Sequence, residues 1–121
     1  MQTWMKKIVS RIETITLKVE GIEQRFLSKH TSYSFENQVL FAVKTDDKKI
    51  SLLCLKGYLL EDLFTFDYAS KYMRHMYIYE EKDFDEEILK QYINESIVCS
   101  IELNEKKKLK QFLMRKRNRT F

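Results

Sequence analysis

The stretch QVLFAVKTDDKKISLLCLKG, residues 38–57, sets the architecture of this chain. Its two halves, QVLFAVKT and KISLLCLKG, are apolar and rich in β-formers, and the charged DDKK between them suits a turn. The pattern predicts a β-hairpin over about residues 38–56. Val39, Phe41 and Val43 fall on one side of the first strand, as do Ile50, Leu52 and Cys54 on the second. Leu40, Ala42, Leu53 and Leu55 make the opposite side apolar too. Both faces of the hairpin therefore need cover, and helices have to supply it.

Upstream, Met5, Ile8, Ile12, Ile15, Val19, Ile22 and Phe26 recur at intervals of 3, 4, 3, 4, 3 and 4. This a/d spacing predicts a long amphipathic helix over residues 3–27 whose narrow seam is buried against its own domain or serves as a dimerisation surface. A strand competes for part of it, because TITLKV is β-branched and alternates Ile15, Leu17 and Val19, and Gly21 disfavours a helix.

Downstream of Gly57, YLLEDLF reads as a short helix with Tyr58, Leu59, Leu63 and Phe66 on a common side. Asp67 is then placed to cap a second helix through about Arg74. HMYIYEE reads as a strand. Asp83 and Glu86 form a capping-box pattern ahead of a helix with Phe84, Ile88, Leu89, Tyr92 and Ile93 on its apolar face. SIVCSIEL reads as another strand. Asn104 is placed to cap a last helix, striped by Leu109, Phe112 and Leu113. The expected fold is α+β: a long N-terminal helix, a central antiparallel hairpin or small sheet, and C-terminal helices ending in a basic one. One domain accounts for residues 1–121, with 1–27 as the dimerisation helix and 105–121 as the basic tail.

Composition narrows the function. Ile, Leu, Val and Phe number 36 of 121 residues, well above the roughly 20% below which disorder is the default. The chain has no proline and only Gly21 and Gly57, so neither of the glycine-rich phosphate loops can be written. Cys54 and Cys99 each sit in an apolar run and read as buried thiols. With His30 and His75 they offer no metal-ligand spacing, and no metal or cofactor is expected. Arg11 and Glu13 interrupt the N-terminal apolar run, and no stretch approaches the ~18 apolar residues that span a bilayer. The expectation is a cytoplasmic protein without a membrane partner. A Lys-to-Arg ratio of 16 to 6 with no proline fits an AT-rich coding sequence, as in a low-GC bacterium, its phages or mobile elements.

Charge is segregated. Residues 61–95 carry ten acidic and four basic side chains, a net −6, whereas residues 105–121 carry eight basic and one acidic, a net +7. Lys106, Lys107, Lys108, Lys110, Arg115, Lys116, Arg117 and Arg119 thus form a candidate site for nucleic acid or an acidic protein surface. Aromatic interleaving is poor, since Phe112 belongs to the apolar stripe and leaves only Phe121.

Two catalytic patterns compete weakly with binding. His75 beside Arg74, near Tyr72, Tyr77 and Tyr79, offers acid–base and phosphate-stabilising groups for a metal-independent ribonuclease. Neighbours on a strand point to opposite sides, which counts against it. Asp67, Glu80 and Lys82 offer a loose metal-dependent nuclease pattern, easily met by chance in an acidic block. The favoured reading assigns no catalytic residue: a small binding or regulatory protein engaging an acidic partner through its basic helix, with self-association through the N-terminal seam. A small nuclease and an inhibitor of one specific host protein are the alternatives.

Overall fold

A computed structural model describes residues 1–119, with side chains through Lys116. The architecture is α+β. Helix α1 spans Thr3–Leu17, followed by strands β1 (Ile22–Phe26), β2 (Thr31–Phe35), β3 (Gln38–Thr45), β4 (Ile50–Cys54), β5 (Tyr68–Ala69) and β6 (Arg74–Ile78), and then helix α2 (Glu86–Arg119). The six strands form one sheet in the order β1-β2-β3-β4-β6-β5, and every pairing is antiparallel.

The core lies on one side of the sheet. Phe41, Val43, Leu52 and Cys54 meet Met5, Ile8, Ile12 and Ile15 of α1 and Leu89, Tyr92 and Ile93 of α2. Phe41 stacks on Tyr33 with centroids 4.9 Å apart and meets Tyr92 edge-on at 6.1 Å. Helical cover on both faces was the expectation for β3 and β4. Instead Lys44, Ser51, Leu53, His75 and Tyr77 line a shallow basin with no helical residue in it. The small side chains of Ala42 and Ser51 stay buried between larger neighbours without a second layer.

The N-terminal seam is not one helix. α1 stops at Leu17, and Gly21 takes a positive φ of 89° in the turn that leads into β1. A side chain there would also meet the Phe35 ring at 2.9 Å. Met5, Ile8, Ile12 and Ile15 are buried in the chain's own core. Val19 and Ile22 are partly buried against it, and Phe26 is 72% exposed on the edge strand β1. A dimer through the whole seam would have to pull the first four out of the core.

Three further expectations fail for identifiable reasons. After Gly57 there is only a 3-10 turn over Gly57–Leu59, and residues 67–74 hold β5 instead of a helix. Asp67 accepts from the Tyr77 amide at 2.7 Å, so it fastens this loop to β6 instead of capping a helix. Asp83 belongs to a box with Glu80 around the short 3-10 turn Glu81–Asp83. The cap of α2 is Asp85, whose Oδ1 accepts from the amides of Glu87 and Ile88 at 3.0 and 3.1 Å.

SIVCSIEL is helical, within the 34 residues of α2. Ser96 and Ser100 are fully buried, and their hydroxyls donate to the carbonyls of Ile93 and Ser96 at 2.9 Å each. The helix thus satisfies these hydroxyls internally, and burial of the Leu89, Tyr92, Ile93, Ser96 and Ser100 face overrides the strand preference of Ile97 and Val98. Of the two thiols, Cys54 is buried and held up at about 12 by burial, whereas Cys99 is only partly buried.

Candidate interaction surface

The basic residues sit on the second half of α2, and Asn104 marks where that helix parts from the core. Asn104 Nδ2 donates to the Glu36 carbonyl at 3.3 Å, and its Oδ1 accepts from Gln38 Nε2 at 3.0 Å. Gln38 Oε1 in turn accepts from the buried Lys56 ammonium at 2.7 Å. Burial pushes the Lys56 amine below its ordinary range. Asn104 is therefore a mid-helix latch and not a helix cap. The latch uses the β2–β3 turn, where Glu36 and Asn37 both have positive φ, of 48° and 66°. Such a two-residue turn matches the twist of an antiparallel hairpin.

Beyond the latch, every residue from Glu105 to Lys116 is exposed. Leu109, Phe112 and Leu113 form a stripe along one side of this segment and are 59%, 61% and 54% exposed. Lys106 and Lys110 edge a shallow groove formed with Leu109, Leu113 and Met114. Lys108 reaches Glu105 at 3.6 Å. Among the described residues, Lys106, Lys107, Lys110 and Arg115 form no ion pair. The side chains of Arg117 and Arg119 lie outside the described residues. The segment from Glu105 to Arg119 is about 22 Å of helix at 1.5 Å per residue. Cations and apolar side chains are thus presented together.

The catalytic patterns come apart. Arg74 Nε pairs with Glu61 and its guanidinium also donates to the Ser70 carbonyl, fastening the 61–70 loop. His75 lines the opposite basin, 3.3 Å from the Tyr77 hydroxyl through Nδ1 and edge-on to Tyr68. Burial, then the charges of Lys44 and Lys49, lower its pKa. Glu80 pairs with Lys82 at 3.1 Å while Asp67 is turned to the Tyr77 amide. Among the described residues no three His, Cys, Asp or Glu side chains group to hold a metal ion, and no helix is long and apolar enough to cross a membrane.

No protein-family model, curated protein or solved structure matches this chain.

Proposed function

We propose that this is a non-enzymatic binding protein whose projecting helix, residues 105–119, docks into an acidic, apolar-floored groove on a protein partner. The observation that carries the reading is the joint exposure of Leu109, Phe112 and Leu113 with Lys106, Lys107, Lys110 and Arg115 on one segment. A phosphate backbone would use the cations alone and leave the apolar stripe in water. A groove uses both, as amphipathic helices do when their i, i+3, i+4 anchors enter a cleft. Each half-exposed apolar anchor contributes roughly 1 kcal/mol on burial, so the stripe discriminates between the two ligand classes. Inhibition of one host protein is a special case of this reading.

The test is affinity capture by the full chain from cell extract, with and without nuclease. Two variants accompany it: K106Q/K107Q/K110Q/R115Q and L109A/F112A/L113A. The expected result is an acidic protein retained after nuclease treatment and lost with either variant. Capture that vanishes with nuclease, or that ignores the apolar variant, assigns the tail to nucleic acid and contradicts the proposal.

A further inference from the structure

The molecule carries an acidic, apolar-floored groove of its own. A cleft of about 430 Å³ opens between the sheet and the start of α2. Phe41, Leu52, Phe64, Met76 and Tyr92 line it together with the carboxylates of Asp67, Asp83 and Asp85. Asp67 and Asp83 each use Oδ2, and Asp85 uses Oδ1, to accept from backbone amides. The second oxygen of each has no hydrogen-bond donor and no ion-pair partner among the described residues. Most other carboxylates nearby are already matched: Glu61, Glu80, Glu81, Glu86 and Glu87 all form ion pairs. The cleft therefore holds a concentrated negative potential over an apolar floor.

We infer that the tail helix of a second copy of this chain occupies this cleft, in an antiparallel, two-fold pairing of the α2 helices. The inference rests on the reading of the tail as a docking helix and names its resting partner. The cleft cannot be filled by the same chain's tail, because Ile88 and Phe112 lie on one helix, roughly 36 Å apart at 1.5 Å per residue. The spacing along α2 is self-complementary. Val98 and Ile101 are 50% and 42% exposed at its middle, on the side that also carries Leu109 and Phe112. Ile88 at the cleft wall and Phe112 on the tail lie nearly equal distances from that middle, each roughly 18 Å. A two-fold axis between Val98 and Ile101 therefore sets the partner's Phe112–Lys116 turn beside residues 83–88. Apolar side chains meet at the centre, and cations meet unpaired carboxylates at both ends. An isologous interface requires such matching of a patch with itself.

Sedimentation of the purified full chain across concentration tests this. The expected result is a dimer that weakens at least tenfold between 0.05 and 0.5 M salt. D67N/D83N/D85N, which keeps the amide acceptors, and K106Q/K107Q/K110Q/R115Q should each be monomeric, while their equimolar mixture regains a 1:1 dimer through one intact tail and one intact cleft. V98R, at an exposed position that folding does not use, should also dissociate the dimer. Wild-type protein that stays monomeric at 200 µM in low salt overturns the inference. So does a dimer untouched by V98R, or a mixture of folded variants that fails to associate. A monomer whose tail still captures a nuclease-resistant acidic protein removes only this inference. A tail-and-cleft dimer that captures no foreign protein upholds it and removes the broader reading.

Discussion

His75 sits in the basin on the open face of the sheet, against Tyr68 and Tyr77. Its neighbours in the chain suggest a phosphate-cleaving group, but strand geometry sends Arg74 to the other face, where it holds the 61–70 loop. What remains around the imidazole is Tyr68, Tyr77, Lys44 and Lys49. Burial and the two lysines disfavour the charged ring, so the unfolded chain takes up the proton first as pH falls. Stability is then fully present above the ordinary histidine value of 6.5 and declines as pH drops from there toward the lowered folded-state value. Urea unfolding from pH 8 to pH 5 should show this decline, and His75→Asn should remove that part of it. Identical pH profiles for the two proteins would mean that the ring is not penalised in the fold.

The elements differ in how plainly the sequence announces them. The runs around residues 38–57 are apolar and β-rich on both sides of a charged turn, and strands β3 and β4 occupy them. The start of α1 carries a period near 3.5, and Met5, Ile8, Ile12 and Ile15 are the residues it buries. Past Leu17 the same spacing continues by coincidence through a turn and an edge strand. Spacing alone cannot register that Gly21 adopts a positive φ. The largest misreading is α2, which local preference divides into a helix, a strand and a second helix. Ser96 and Ser100 look like strand-compatible polar residues, and only the packed helix shows their hydroxyls turned back on its own carbonyls. The tail was legible as basic from composition. Its isolation from the core was not, because that depends on the Gln38–Asn104 latch across 66 residues of sequence. The cleft was equally hidden, since Asp67, Asp83 and Asp85 are gathered by the β6 and α2 connections and share no motif.

At the head of α2, Asp85 is the residue on which helix initiation depends, with two amides on one carboxylate oxygen. Asp85→Ala should lower stability by about 1 kcal/mol, the usual cost of losing a capping acceptor. Denaturant unfolding of dilute protein in high salt measures this without a contribution from self-association. An unchanged midpoint would show that the first turn is held by packing alone.

On the scale of the whole molecule, one helix has two environments. Its first half is a structural member, with Leu89, Tyr92, Ile93, Ser96 and Ser100 sealed against the sheet and α1. Its second half carries a net +7 from residue 105 onward, more than the +4 of the whole chain, and none of its residues from Glu105 to Lys116 is buried. Asp83, Asp85, Glu86 and Glu87 lie at the other end of the same helix, so charge is segregated along α2. That polarity favours antiparallel association and steers an acidic partner to the tail over a distance set by the Debye length, about 8 Å at physiological salt. Exposed charges contribute little to folding, so the cost of such a tail to stability is small.

Docking by the tail requires that α2 divide at Asn104 into a packed half and an available half. Amide hydrogen exchange on the full chain, dilute and in high salt so that it is monomeric, reads this directly. The predicted result is strong protection from about Leu89 to Asn104 and a sharp fall beyond it, with residues 105–116 exchanging orders of magnitude faster, as an unpacked helix opens freely. Uniform protection running through to Lys116 in the monomer would show that the tail packs on its own molecule, and would contradict the claim that it is held ready for a partner.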